Sequence, residues 1–345
     1  MSKVRWAVWG SCGIAKRRTI PEGILPAENA ELVAIYDLNA EANRELGRSL
    51  GVKAIGSPTK LLASGAQAVY VATPAYLHCR QVVACAKAGK HVLCEKPLGM
   101  TNNQAETMLK ACRNAGVQLG TAFMMRFQSQ HQAALKMIRE GQLGKMTYAR
   151  AQLSCWYPPM PNAWRQVHAR AGGGSLMDMG GHCIDLLEMF LGPVAKVHCF
   201  ANRTVHEYQT EDSAVATLMF ASGAIATVDA FFCIPDAASK NALELYGAKG
   251  GILAKGTIGQ GQAGEMTAFI ERSGEGYDAQ QARTAGQGEP ITPPPVNMYR
   301  AEIEEFSRAI LDKRPSAIDA EIGLRSQKVL SACYRSAKIG RAVAV

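Results

Sequence analysis

Short apolar runs alternate with longer, helix-spaced segments through the first third of the chain. Val4-Arg5-Trp6-Ala7-Val8-Trp9 reads as a strand buried on both faces, the pattern of a parallel sheet. Glu31 to Tyr36, Ala68 to Ala72, His91 to Cys94 and Val117 to Gly120 repeat that pattern. Between them lie helical patterns over 40–50, 76–88 and 101–115, the last capped by Thr101 or Asn102. Strands alternating with helices predict a doubly wound parallel sheet with its ligand crevice at the strands' carboxyl ends.

Beyond residue 122 the period changes. A helix over 130–140 leads into strand-like runs at 146–156, 195–205, 212–220, 224–233 and 242–246. Ser222-Gly223, between two alternating runs, is a hairpin signal. The expectation is an α/β chain of two domains. Residues 1–122 form a dinucleotide-binding Rossmann domain, and residues 123–345 form an α+β domain with an open, mainly antiparallel sheet. Residues 255–296, rich in Gly, Gln and Pro, hold short strands and loops at best. Final helices over 297–312 and 319–338 pack back on the body.

Gly172 to Gly192 carries the chemistry of the second half. Ser175 followed by Asp178 is a capping-box pattern, and Gly192-Pro193 is a stop signal, so a helix is predicted over 176–191. Asp178, His182 and Asp185 stand at i, i+4 and i+7 on one stripe of it. Leu176, Met179, Cys183, Leu186, Leu187 and Phe190 take another face. An imidazole and two carboxylates on one stripe can move protons. A surface helix with a thin solvated face explains the same pattern equally well.

The length of 345 residues fits two domains, and 48% apolar with 19% charged residues fits an ordinary globular protein. A net charge of +9 is spread out apart from Lys16-Arg17-Arg18, with no basic stripe interleaved with aromatics, so nucleic acid is not the expected partner. Ten cysteines lack C-x-x-C or zinc-ligand spacing, so no metal is expected and a reducing compartment is. With no signal-like or membrane-spanning run, the expected location is the cytoplasm.

The first strand ends in Gly10-Ser11-Cys12-Gly13-Ile14-Ala15, a helical segment follows, and the second strand ends at Asp37. Strand, glycine turn, helix, strand and acidic residue is the order of a dinucleotide-binding unit. Gly10 and Ala15 fit the fingerprint ends, but Cys12 replaces the middle glycine. Asp37 would accept hydrogen bonds from a ribose 2′-hydroxyl and repel a 2′-phosphate, which favours NAD over NADP; an ordinary helix-capping role is its structural alternative. Thr73-Pro74 and Glu95-Lys96-Pro97 fall at further strand ends.

A-G-K-H-V-L-C-E-K-P-L at 88–98 and G-G-G-S-L-M-D-M-G-G-H-C-I-D at 172–185 resemble the glucose-fructose oxidoreductase / inositol dehydrogenase / rhizopine-catabolism (Gfo/Idh/MocA) family. The resemblance covers nearly the whole chain and is strongest to sugar-reductase and pyranose-dehydrogenase branches, with Trp164-Arg165 as the suggestive feature. It implies a nicotinamide-dependent oxidoreductase acting on a sugar, polyol or sugar derivative. It also implies a cis Lys96–Pro97 bond and a homodimer or homotetramer built through the second sheet.

Carried over residue by residue, the family's lysine falls on Lys96, its aspartate on Asp178 and its histidine on His182. Lys96 is assigned to polarising the substrate oxygen, His182 to general acid/base work and Asp178 to orienting the imidazole or binding a hydroxyl. Gly10, Cys12, Gly13, Ile14, Asp37, Thr73, Pro74, His78, Glu95, Lys96 and Arg165 are the expected cofactor contacts. Arg126 and Trp164 join the catalytic three as substrate contacts, with a structural salt bridge and a packed loop as their alternatives. Ala75 departs from the family, where asparagine is frequent. Two other readings share these motifs: a glycosidase or epimerase that oxidises transiently with NAD, and a non-catalytic dinucleotide-binding regulator.

Overall fold

The computed structural model describes residues 2–271 and 286–345. Part of the 255–296 loop expectation therefore lies outside the described residues. Six parallel strands form the first sheet: β1 (Val4–Trp9), β2 (Ala30–Tyr36), β3 (Lys53–Ala54), β4 (Ala68–Val71), β5 (His91–Cys94) and β6 (Leu119–Thr121). Their order is β3-β2-β1-β4-β5-β6, so the chain reverses direction across the sheet between β1 and β4. A crevice opens outside the carboxyl ends at that switch point.

The turn after β1 depends on glycine. Gly10 adopts φ 93°, and a Cβ there would stand 2.8 Å from the backbone of Ala72, just beyond β4. The helical segment Ser11–Ile24 that follows is broken at Gly13.

The second sheet has nine strands: β7 (Met146–Ser154), β8 (Val194–Asn202), β9 (Ser213–Phe220), β10 (Ile225–Phe231), β11 (Ala242–Gly247), β12 (Gly250–Lys255), β13 (Glu265–Ile270), β14 (Glu289–Pro290) and β15 (Val343–Ala344). Its neighbours are antiparallel except β7 and β10, which run parallel. Ser222-Gly223 makes the expected hairpin between β9 and β10, with Gly223 at φ 88°. β13, a six-residue strand, falls inside the 255–296 segment expected to hold short strands and loops, and β12 precedes that segment.

Helical chain over Leu176–Gly180 and Gly181–Leu191 lies on this sheet. The facing strand positions are small: Ala149, Ala151, Ala216 and Ala226 join Cys183, Ile184, Leu186 and Leu187 in one core. Alanines under the helix let its backbone approach the sheet closely. All its residues from Gly181 to Leu191 except Met189 are buried, so the solvated-face alternative does not describe this helix.

The last two long helices, Met298–Leu311 and Ala320–Ile339, pack back on the first sheet and on β8 respectively. Phe306 lies 5.7 Å from the Trp6 ring, and Trp6 Nε1 donates to Ser307 Oγ at 3.0 Å. Ile303, Phe306 and Ile318 share one core with Trp6, Val8, Ile20 and Ile24.

Candidate active site

A cleft of about 610 Å³ runs from the switch point of the first sheet to the helix on the second. A second cavity of about 350 Å³ adjoins it. Lys96, Asp178 and His182 line both, so these three side chains stand at the junction.

Strand geometry brings Lys96 there. It follows the buried end of β5, and its peptide bond to Pro97 is cis. Lys96 Nζ donates to the Asp178 Oδ1 and backbone O, both at 2.8 Å. An ammonium has three donors, so one remains for a ligand oxygen. Arg165 Nε lies 2.9 Å from the same Asp178 Oδ1, and the guanidinium stacks 4.3 Å over the Trp164 ring. Burial alone would raise the Asp178 carboxyl, but Arg165 and Lys96 reverse that and hold it far below the usual carboxylate range.

Asp178 makes no hydrogen bond to His182 among the described residues. This corrects the expectation that it orients the imidazole: its Oδ1 is shared by two cations, Lys96 and Arg165. His182 is buried, with Nδ1 unpartnered and the Phe123 ring at 6.1 Å. Burial, then the positive charge of Lys96, push its pKa well below the ordinary 6.5. The ring is therefore neutral at pH 7.

Asp185 is on the same stripe but not in the site. Its carboxylate takes Arg126 Nε at 2.9 and 2.8 Å. Arg126 is absent from the residues lining either cavity. The salt bridge is thus the role the structure gives Arg126, in place of the expected substrate contact. The helix start departs likewise. The Ser175 hydroxyl donates to Ala230 O, and Glu211 caps the helix instead, accepting from Gly174 N at 2.8 Å and Leu176 N at 3.1 Å. A Cβ on Gly174 would lie 1.9 Å from Glu211 O, so this glycine serves the cap rather than a ligand.

From the first sheet, Gly10, Cys12, Gly13, Ile14, Asp37, Thr73, Pro74 and Glu95 all line the cleft, and Trp164 and Arg165 line it from the loop after β7. His78 does not. It is buried with its ring nitrogens 2.9 Å from Pro97 O and 2.8 Å from Thr73 O, a strut between two cleft loops rather than a cofactor contact. Asp37 accepts from Cys12 N at 2.9 Å and Asn39 N at 3.0 Å, tying the first turn to the end of β2. Glu95 is half-buried and bonded by the Tyr70 hydroxyl; desolvation raises its carboxyl.

Several cleft residues escaped the sequence reading. Arg17 sits in the basic run, and Tyr157 sits in the proline-flanked loop beside Trp164. Ser154, Asp236 and Asn241 line the second cavity but belong to no local motif, since strand pairing brings them together.

The glycine turn at β1 and the carboxylate ending β2 fit a dinucleotide laid across the switch point. Comparison with known proteins decides the family. Residues 4–123 match the oxidoreductase family with an NAD-binding Rossmann fold, and residues 131–253 match the GFO/IDH/MocA C-terminal domain. The 1,5-anhydro-D-fructose reductase of Ensifer adhaerens is 30% identical over 99% of this chain and 98% of that protein.

The chain belongs to the Gfo/Idh/MocA family.

It is an NAD-binding oxidoreductase. Within the family it is also similar to D-xylose 1-dehydrogenase (NADP(+)) 2 of Haloferax volcanii, at 28% identity over 98% of each chain. Its fold matches the aldose-aldose oxidoreductase of Caulobacter crescentus, crystallised with glycerol, at TM-score 0.87 and 27% identity over 99% of this chain and 100% of that one. Among the described residues, no helix of this Gfo/Idh/MocA protein is long and apolar enough to cross a membrane. None of their His, Cys, Asp and Glu side chains form a group able to hold a metal ion.

Proposed function

We propose that the protein transfers a hydride between nicotinamide and a hydroxyl or keto carbon of a sugar, polyol or sugar derivative. Lys96 polarises the reacting oxygen and His182 is the general acid/base. The observation that carries this reading is the position of Lys96 and His182 at the junction of the two cavities. One cavity is lined by strand ends of the NAD-binding sheet, and the other chiefly by second-domain residues.

NAD, when bound, supplies the hydride acceptor or donor. Gly10, Gly13 and Asp37 would hold its pyrophosphate and ribose end, and the Asp37 carboxylate supports NAD over NADP. Lys96 presents its one uncommitted N–H to the substrate oxygen and stabilises the charge that develops there. Asp178 holds that ammonium in place. In oxidation, neutral His182 takes the hydroxyl proton; in reduction it returns one. The relatives named for sugars support a carbohydrate substrate. The outer face of the second sheet, with Phe200, Val215, Met219 and Ile225 exposed, supports a homodimer or homotetramer, and light scattering checks it.

The test is a panel of sugars and polyols with NAD and NADH, read at the absorbance of reduced nicotinamide. Turnover with at least one member is expected, lost in Lys96→Ala and His182→Ala. Unimpaired turnover in both variants would remove the mechanistic assignment. Sugar conversion with no net change in NADH would instead point to a redox-neutral reaction.

A further inference from the structure

The second cavity has a wall that hydride transfer does not require. Ser154, at the end of β7, is 3% exposed and lines the cavity, and its Oγ, buried at the cavity's edge, has no hydrogen-bond partner. Beside it Asn241 sits at φ 46°, a conformation unfavourable to most side chains. Its Oδ1 accepts from Ser154 N at 3.1 Å and from Ser239 Oγ at 2.7 Å. That fixes the amide and leaves its NH₂ as a donor. Asp236 is held by Trp156 N, which donates to its Oδ1 at 3.0 Å. A buried hydroxyl without a partner is costly unless something arrives to satisfy it.

Charge is arranged unevenly along this cavity. At the junction, Lys96 is bonded to Asp178 and His182 is neutral. Away from these junction residues, the charged group among the described lining residues is Asp236, which is exposed and makes no ion pair among the described residues. A substrate carboxylate or phosphate seated beside it would meet a like charge and gain no counter-charge from Ser154 or Asn241.

We infer that Ser154, Asn241 and Asp236 form a specificity wall that selects an uncharged polyhydroxylated ring and rejects its sugar-acid and sugar-phosphate counterparts. The inference rests on the proposed carbohydrate oxidoreductase function. Hydroxyls remote from the reacting carbon bond Ser154 Oγ, the Asn241 amide and the Asp236 carboxylate.

The experiment compares kcat/KM for matched pairs: hexoses against their uronates, and against their 6-phosphates. The wild type, Asp236→Asn and Ser154→Ala are measured at low and high salt. NADH affinity is read by fluorescence in each, because none of the three wall residues lines the NAD-side cleft. The wild type is expected to favour the uncharged member at least about tenfold. Asp236→Asn narrows that preference about three- to tenfold at low salt and less at high salt, as expected of an exposed charge. Ser154→Ala raises KM for the uncharged sugar about five- to tenfold with kcat little changed. Equal or better turnover of the charged members by the wild type overturns the inference. So does an unchanged preference in Asp236→Asn together with an unchanged KM in Ser154→Ala. No turnover of any pair by wild type that binds NADH overturns the proposed function itself.

Discussion

Lys96 commits two of its three donors to one residue, Asp178, and that determines what its removal does. Lys96→Ala removes the group that meets the substrate oxygen, while Arg165 keeps Asp178 paired. The expected loss in kcat/KM is about 10²- to 10⁴-fold with NADH affinity changed little, checked by steady-state kinetics and fluorescence titration. For His182 the prediction concerns pH. Its folded pKa lies well below 6.5, so the imidazole stays in its proton-accepting form down through the unfolded value. The acid limb of the oxidation profile should therefore fall below pH 6.5, with rate lost as pH drops through the folded pKa; a kcat/KM profile with an inflection at or above 6.5 would contradict it. Asp37→Ser should narrow the preference for NAD over NADP by about tenfold, measured as the ratio of kcat/KM values. These residues were legible because each ends a strand or shares a helix stripe. Asp178's true partners were not, because Lys96 and Arg165 reach it from distant parts of the chain.

At the level of elements, the helix over the second sheet shows where local rules stop. Its span was readable from spacing and from Gly192-Pro193. Its N-terminal cap was not. Ser175 and Asp178 have the capping-box spacing, yet the acceptor is Glu211, across 37 residues from Gly174. Glu211 also takes the Tyr334 hydroxyl at 2.7 Å. Glu211→Ala should leave those buried donors unsatisfied and cost about 3 kcal/mol of stability, with Glu211→Gln costing less, both measured by urea unfolding. Asp185 leaves the site for a similar reason. Position i+7 shares a face with Asp178 but lies about 10 Å further along the axis. There it meets Arg126 behind the cleft. Spacing along a helix gives direction and leaves open what another element has placed at each level.

Taken whole, the molecule buries histidines in neutral form. Burial lowers the pKa of His78, His91, His131 and His182, and pushes His131 down to about 4. The unfolded chain binds these protons near pH 6.5 and the folded chain does not, so stability falls as pH drops through that window. For His131 alone the loss between pH 6.5 and 4 is about 3 kcal/mol. Denaturant midpoints measured across that range should fall for the wild type and fall less for His131→Gln.

The packing of Trp6 against Phe306 and Ser307 has a consequence for biosynthesis. Trp6 leaves the ribosome long before Ile303, Phe306 and Ile318, which cover it. The nascent NAD-binding half must wait with an apolar face open while the second sheet is made. A chain released at residue 122 should bind hydrophobic dyes and aggregate, and Trp6 emission should shift to the blue only when 298–318 docks.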